Sequence, residues 1–347
     1  MTILPFLPER FLYGAVGDAH GDLPSLVAAV DAVREKAAAT GRTAFLIVLG
    51  DAIDRGPDSA GCASLLLRLA RGRDPERRDV RIAILRGDHD EALARDPATG
   101  RFASGVEPAD WAGRLNGLPP DDPERAVAAD WISFVREAPA AVLLRARGKG
   151  VLLAHGGVPH ADLLPRLETV ADLAAPECER DFVWCRVASA RRKTPNRGSL
   201  TCDLGVDDVS DFLARIAALA GAAQGEDARP FCVRHFVHGH EHAAPGVARQ
   251  ALRNGATAWT VTTFRDDGGG FLDPVRPAVA LIDRAEGAEG LSHAEFAEET
   301  SHAEFAEFAE ETSHAEFAES AEGLSHAEFA VSAMFVPVAE EAKGAEA

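Results

Sequence analysis

Short apolar runs of strand length alternate with segments of helical spacing in the N-terminal part of the chain. The runs at 11–17 and 44–49 are each followed by a Gly-Asp pair and then by a helix-like segment. In the first of these segments, the apolar residues between Leu26 and Val33 recur at intervals of three and four. A third run at 80–87 completes a β-α-β-α-β order, which predicts parallel strands joined by right-handed crossovers.

Three of the predicted strands end in the same way. YGAVGDAHGD (13–22), FLIVLGDAIDRG (45–56) and ILRGDHDEA (84–92) each bring an apolar run into Gly-Asp and then add a further titratable side chain. In parallel sheets, ligands bind beyond the carboxyl ends of the strands. The sequence therefore predicts that these acids and histidines gather at one edge of a sheet.

The pattern continues less densely towards the C-terminus. GVLLAHGGV (150–158) is an apolar run that ends at His155, and PFCVRHFVHGHEH (230–242) ends in a histidine cluster that includes His240. ATAWTVTTF (256–264) is predicted to be a further strand. Pro, Asp and Trp alternate irregularly between 97 and 140, which predicts loops and short helices there.

The pattern changes beyond Arg284. SHAEFAE begins at residues 292, 301 and 313, and SHAEFAV begins at 325, a spacing that matches neither a heptad nor a common solenoid period. We expect two parts, a folded domain at 1–284 and a poorly ordered acidic tail at 285–347. Weak metal binding by the four repeat histidines is the alternative role for this segment.

The charge of the chain lies mostly in the predicted tail. Of the net charge of −19, residues 285–347 contribute 16 acids against one lysine, which leaves the remainder nearly neutral. A near-neutral body without a basic block gives no reason to expect nucleic acid as a partner. No segment reaches the ~18 apolar residues that span a bilayer, so we expect no membrane partner and a cytoplasmic protein.

The cysteines give no local motif. There are five of them, widely spaced and without a CxxC pair. An odd number at such spacing argues against a disulfide framework and against a thiolate zinc site. We expect them to be reduced and mostly buried.

Five turns carry oxygen and imidazole groups without thiolates. Such ligands suit Mn, Fe or Zn, and their number is enough for two ions if one carboxylate bridges them. The glycine before each aspartate lets the backbone turn sharply where the strand ends. The candidate residues are Asp18, His20, Asp51, Asp54, Asp88, His89, His155 and His240.

The same turns resemble the ordered signature of the calcineurin-like metallophosphoesterases, and specifically of the phosphoprotein phosphatase (serine/threonine phosphatase) family. The resemblance covers residues 12–284. It implies an α/β fold, a four-layer α/β/β/α sandwich, with 1–284 as the catalytic domain. The blocks that carry it, in order, are GDAHG (17–21), GDAIDRG (50–56), RGDHDEAL (86–93), AHGG (154–157), DFVWCR (181–186), NRGSLTCDLG (196–205), FVHGHE and TVTTF.

The resemblance implies two divalent metal ions, manganese first, with iron or zinc as alternatives. Carried over residue by residue, Asp18 and His20 bind the first ion and Asp51 bridges. The second ion is bound by Asp88, His155 and His240. His242 is an alternative further ligand of the first ion, as the second histidine of a GHxH is in other metallophosphoesterases.

The resemblance also implies how the substrate reacts. Arg55 and Arg197 match the two arginines that grip the phosphate. His89 matches the general acid and Asp54 the carboxylate that orients it. The implied reaction is in-line attack on phosphorus by a metal-bridging hydroxide, with His89 protonating the departing alkoxide. The structural alternatives are a helix N-cap for an aspartate after a strand and a surface position for Arg55.

Asp88 departs from the family, which normally has Asn at this position. An Asn carbonyl ligates without adding charge and its amide donates a hydrogen bond, whereas Asp ligates but cannot donate. The sequence therefore predicts tighter metal binding and slower turnover. TFRDDGGG (263–270) also lacks the aromatic residue of the eukaryotic enzymes, so their substrate preference and regulatory subunits are not transferred.

Three functions are consistent with the sequence. The leading one is a metal-dependent phosphomonoesterase that acts on phosphoserine or phosphothreonine in a phosphoprotein. The second is a hydrolase of dinucleoside polyphosphates or other small phosphate esters. The third is a weakly active module that binds phosphoprotein through Arg55 and Arg197, with the acidic tail recruiting a basic partner.

Overall fold

The computed structural model describes residues 2–4, 10–146, 148–222, 231–243, 246–264, 277–286 and 327–335. Seven α-helices are found in these ranges, with short 3-10 turns at Leu164–Arg166, Val170–Ala174 and Arg253–Gly255. The helices are α1 (Leu23–Ala39), α2 (Ser59–Ala70), α3 (Asp88–Ala92), α4 (Asp110–Gly117), α5 (Pro123–Glu137), α6 (Pro176–Trp184) and α7 (Val206–Ala222). The strands are β1 (Thr2–Leu4), β2 (Phe11–Val16), β3 (Thr43–Val48), β4 (Arg81–Ile84), β5 (Ala94–Arg95), β6 (Phe102–Ala103), β7 (Ala141–Ala146), β8 (Lys149–Ala154), β9 (Cys185–Val187), β10 (Cys202–Leu204), β11 (Cys232–His238), β12 (Val247–Ala251), β13 (Thr257–Val261), β14 (Ala278–Glu286) and β15 (Ala327–Phe335).

The predicted β-α-β-α-β unit is confirmed. β2, β3 and β4 are parallel neighbours, with α1 and α2 as their crossovers. Helix α1 begins where Asp22 caps it by accepting from the Ser25 amide, and α2 begins where Asp58 accepts from the Gly61 amide. β14 and β15 add antiparallel strands, giving a five-stranded sheet in the order β15-β14-β2-β3-β4.

A second, six-stranded sheet has the order β1-β7-β8-β11-β13-β12. β8, β11 and β13 are parallel at its centre, so their carboxyl ends meet at one edge. The predicted runs that end at His155 and in the 230–242 histidine cluster are therefore neighbouring strands.

The apolar core is layered. One cluster, with Tyr13, Phe45 and Val151, fills the space between the two sheets. A second joins the five-stranded sheet to α1, α2, α4 and α5, and a third joins the six-stranded sheet to α6 and α7. The fold is the predicted four-layer α/β/β/α sandwich.

Two segments differ from the sequence-based expectation. The 97–140 segment contains the 15-residue helix α5, whose buried residues Ala128, Trp131, Ile132 and Val135 recur at helical spacing. The predicted boundary at 284 falls inside β14, and nine residues of the predicted tail form β15, paired with β14 along its length. Residues 287–326, with the four repeat histidines, and 336–347 lie outside the described residues. None of the helices described is both long and apolar enough to cross a membrane.

Candidate metal centre

The turns after β2, β3, β4, β8 and β11 meet at one crevice. Several residues there have left-handed backbone, including His20 (φ 42), Asp51 (φ 50) and His240 (φ 63). Non-glycine residues rarely adopt this conformation, and it is typical of functional turns. Gly50 (φ 107) gives the sharp turn that the sequence predicts before Asp51. The N-caps of α1 and α2 are other residues, so the capping alternative does not apply to Asp18 or Asp51.

One group of ligands surrounds Asp88. Its Oδ1 lies 3.1 Å from His155 Nε2 and 3.3 Å from His240 Nδ1. Asp51 Oδ1 lies 3.5 Å from the same His155 nitrogen. All four side chains are buried, and their ligand atoms lie within 4.8 Å of one another. These are the residues for which the sequence predicts the second metal site and its bridging ligand, and the fold brings them together.

A second group surrounds Asp18. Its Oδ2 lies 3.9 Å from His20 Nε2 and 3.6 Å from His242 Nε2. His20 Nε2 is also 3.6 Å from Asp51 Oδ2, so Asp51 faces both groups, as a bridging ligand must. His242, the alternative ligand in the sequence analysis, belongs to this group by position.

The histidine tautomers suit metal binding. His20 Nδ1 donates to the Ile53 carbonyl at 3.0 Å, and His155 Nδ1 donates to the Leu49 carbonyl at 3.1 Å. The neutral His20 ring then carries its free lone pair on Nε2, which faces the carboxylates. His155 Nε2 donates to Asp88 Oδ1 at 3.1 Å, and it would give up that proton to bind a cation. Backbone carbonyls thus hold both imidazoles ready to ligate.

The charges in the crevice favour a cation. Burial, together with the neighbouring Asp88 and Asp18, raises the pKa of Asp51 well above its ordinary value. Burial lowers the pKa of His20 well below its ordinary value, so this ring is neutral. Although burial opposes it, hydrogen bonds from His155 and His240 lower the pKa of Asp88.

The crevice also holds buried polar atoms that lack a partner. Asp18 Oδ2 and His20 Nε2 have no hydrogen bond among the described residues. Buried polar groups are normally satisfied, and an unsatisfied carboxylate oxygen facing an imidazole lone pair is what a cation would complete. The donor set of carboxylates and neutral imidazoles therefore fits divalent metal ions.

The predicted general acid stands beside both groups. His89 Nδ1 lies 2.9 Å from Asp54 Oδ2, and the other oxygen of Asp54 accepts from the Trp111 amide at 2.9 Å. Both members of the pair are buried. His89 Nε2 is 3.2 Å from Arg55 Nη2, and the Arg55 Nη1 atom is 3.0 Å from His242 Nε2. Arg55 is therefore at the site and not on the general surface.

The second predicted arginine is placed differently. Arg197 forms ion pairs with the buried Asp181 and with Asp162, and none of its described contacts is with a metal-ligand candidate. Arg186 is the second arginine at the crevice, because its Nε donates to His240 Nε2 at 3.1 Å. Its block, DFVWCR, is one of those that carry the resemblance, which implies no role for Arg186. The signal in the sequence is an arginine directly after an apolar segment, within a block that carries the resemblance.

Asp90 is a further acid that sequence reasoning missed. Its carboxylate accepts from the Ala52 amide at 3.2 Å and from Trp131 Nε1 at 3.2 Å. Burial raises the pKa of Asp90 to about 6. It belongs to none of the ligand groups among the described residues, and it fixes the loop that carries Asp51.

Comparison with known proteins agrees with this site. The profile of the calcineurin-like phosphoesterase family matches residues 12–244, more than half of the chain. No curated protein sequence matches this chain. Among solved structures, it is similar to a protein serine/threonine phosphatase from Saccharomyces cerevisiae (16% identity, TM-score 0.47, covering 79% of this chain and 72% of that one).

Two other solved structures are similar at comparable coverage. One is a putative diadenosine tetraphosphatase (17% identity, TM-score 0.37, covering 80% of this chain and 90% of that one). The other is a cold-active protein-tyrosine phosphatase of a Shewanella species (14% identity, TM-score 0.40, covering 80% and 79%). The family uses a dinuclear divalent metal centre, for which this crevice has the ligands. The chain belongs to the calcineurin-like phosphoesterase family and is a metal-dependent phosphatase.

Proposed function

We propose that the chain removes phosphate from phosphoserine and phosphothreonine in proteins. The observation that carries this proposal is the buried His89–Asp54 pair, joined at 2.9 Å beside both ligand groups. A serine or threonine alkoxide is a poor leaving group and needs a proton as it departs. A positioned acid is worth most for such esters and least for substrates whose leaving group is already stable.

We propose two divalent cations in the crevice, held by the roles that the sequence predicts. Asp18 and His20, with His242, would bind one ion, and Asp88, His155 and His240 the other, with Asp51 shared. Bound there, the cations would polarise the phosphoryl oxygens and acidify a water molecule. Oxygen and imidazole ligands favour manganese, iron or zinc.

His89 and Asp54 have separate tasks in this scheme. Asp54 accepts from Nδ1 and fixes the orientation of the ring, while the Trp111 amide fixes Asp54. His89 Nε2 faces Arg55 and the crevice, and in this structure it accepts from the guanidinium. To act as the acid, this nitrogen would release the guanidinium and carry a proton for the leaving oxygen. A module that only binds phosphoprotein has no use for this proton, so the pair argues against the third function.

We propose Arg55 and Arg186 as the two phosphate-binding arginines. Arg55 contacts His89 and His242, and Arg186 contacts His240, so each of the two ligand groups has one guanidinium in contact with it. Planar guanidinium donors suit phosphate oxygens. The resemblance assigns this task to Arg197, whose described contacts are with Asp181 and Asp162.

Side-by-side assays test the proposal. The full-length protein with manganese is given a phosphoserine peptide, a phosphothreonine peptide and diadenosine tetraphosphate at equal concentration. We expect the highest kcat/KM on a phosphopeptide, and a loss of that activity in His89→Gln. Higher kcat/KM on diadenosine tetraphosphate would establish the second function instead, and bound metal without turnover of any substrate would establish the third.

The remaining expectations accompany this proposal. We propose a phosphoprotein as the partner at the crevice and a basic partner for the acidic tail, most of which lies outside the described residues. All five cysteines are free thiols, which supports a reducing compartment such as the cytoplasm.

A further inference from the structure

A separate group of ligand-type side chains lies apart from the crevice. His160, Cys185 and Cys202 place their ligand atoms within 4.8 Å of one another. His160 Nε2 lies 3.1 Å from Cys202 Sγ. The three residues are 1%, 1% and 6% exposed. The widely spaced cysteines, which lack a local motif, are therefore brought together by the fold.

Three different elements build this group. Cys185 on β9 and Cys202 on β10 are directly paired in a two-stranded parallel sheet. His160 follows the turn after β8, and its amide donates to Asp181 Oδ2 at 3.0 Å. A Cβ at Gly157 would lie 2.7 Å from Cys185 Cβ, so the turn packs directly against the group. The three side chains are thus fixed by backbone elements, as preformed ligands are.

We propose that His160, Cys185 and Cys202 bind one thiophilic divalent cation of the Zn²⁺ class. In a tetrahedral zinc site the sulfur and nitrogen ligands are about 3.6 Å apart and two sulfurs about 3.8 Å apart, from bond lengths of ~2.3 and ~2.05 Å. In this group His160 Nε2 lies 3.1 Å from Cys202 Sγ, about half an ångström less than the zinc-site value, and all three ligand atoms lie within 4.8 Å of one another. Three protein ligands leave the fourth position to a water molecule.

The charges balance in this site. Two thiols lose their protons to solvent when the cation binds, and two thiolates with a neutral imidazole cancel the charge of a divalent ion. A neutral assembly is what a buried site tolerates. Burial lowers the pKa of His160, so its imidazole is neutral and has a lone pair to give. Burial also raises the pKa of Cys185, so without a cation the thiol remains protonated.

Arg186 links the site to the crevice. Arg186 follows Cys185 on β9 and donates to His240. A cation that clamps β9 to β10 and to the turn after β8 would fix the backbone of Arg186. The role of this cation is therefore structural. It differs from that of the ligand groups at the crevice, which contain no sulfur.

Cobalt substitution tests the proposal without using enzymatic activity. The full-length protein is reduced with a phosphine, stripped of metal and titrated with Co²⁺. We expect a thiolate-to-cobalt charge-transfer band in the near ultraviolet, because only this group of the described residues offers sulfur ligands. Added Zn²⁺ should abolish the band by displacement.

Matched variants locate the band. Cys185→Ser and, independently, Cys202→Ser should lose it, while Cys232→Ser, a change to the half-buried thiol on β11, should keep it. Asp51→Asn, at the crevice, should also keep it, which separates this site from the proposed catalytic centre. Absence of the band in the unmodified protein, or its persistence in a folded Cys185→Ser protein, would overturn the proposal. So would a mass lower by two hydrogens without reductant and no cobalt band, which indicates a disulfide instead.

Discussion

Replacing Asp88 with asparagine should accelerate the phosphatase. Asp88 is 5% exposed, and its carboxylate lies among His155, His240 and Asp51. The change keeps an oxygen ligand, removes one negative charge from the crevice and adds an amide donor. With two divalent ions, three carboxylates and one hydroxide, the net charge of the centre rises from zero to +1.

The magnitude follows from the distance. A unit charge about 4 Å from the phosphate is worth up to ~4 kcal/mol at an effective dielectric of ~20. If this energy acted wholly in the transition state, the rate would rise about a thousandfold. Because the bound ester is already anionic, most of the gain stabilises the ground state as well and leaves kcat unchanged. We therefore expect about a tenfold rise in kcat, with weaker metal affinity.

The assay measures kcat on para-nitrophenyl phosphate at saturating Mn²⁺, Mg²⁺, Co²⁺ and Zn²⁺ in turn. Asp90→Asn is the matched control, at pH 8, where Asp90 is ionised because burial raises its pKa only to about 6. It makes the same chemical change on a side chain that accepts from Ala52 and Trp131 and belongs to no described ligand group, so we expect a smaller gain. An Asp88→Asn protein that is equal or slower with every saturating metal would refute the charge argument.

Three further changes follow from the structure. His89→Gln should lower kcat about 10²- to 10⁴-fold on a phosphoserine peptide and much less on para-nitrophenyl phosphate, whose leaving group needs no proton; equal losses would show that His89 is not the acid. Arg186→Ala should raise KM about tenfold to a hundredfold, because it removes a charged hydrogen bond worth ~1.5–3 kcal/mol. Arg197→Ala should leave KM unchanged. It should lower the free energy of unfolding by about 1–3 kcal/mol, because it leaves the buried Asp181 carboxylate without its partner. Ending the chain after residue 286 should lower Tm by ~2–4 °C or more, because it removes β15 from β14. Ending the chain after residue 335 should leave Tm unchanged. An unchanged Tm after the first truncation would show that β15 adds nothing to stability.

The sequence predicts the catalytic face better than the outer parts of the fold. Asp18, Asp51 and Asp88 each follow an apolar strand, and the parallel-sheet rule brings such turns together. β15 is not predicted, because it begins inside the last SHAEFA repeat and its apolar run FAVSAMF (329–335) falls within the predicted tail. Its place in the sheet comes from backbone pairing with β14, which depends on tertiary structure and not on local propensity.

Contacts between side chains that are distant in the sequence could also not be predicted. Cys185 and Cys202 lack a motif because their neighbourhood is created by a parallel pair of strands. The spacing of cysteines along the sequence can exclude only a metal site whose ligands come from one local segment. Here Cys185, Cys202 and His160 come from three separate segments. Arg186 was missed for a related reason, since the contact that gives it a role joins β9 to the turn after β11.

The contact between Arg186 and His240 joins the proposed phosphate-binding arginine to a proposed metal ligand. As Arg186 donates to Nε2, the neutral ring of His240 carries its proton on Nδ1, the atom that faces Asp88. If Nδ1 bound a cation, its proton would have to move to Nε2, and Nε2 would then no longer accept from the guanidinium. The structure thus holds Arg186 on His240 only while Nδ1 is protonated. Phosphate affinity through Arg186 should therefore rise when the centre is loaded, beyond the direct attraction of the cations.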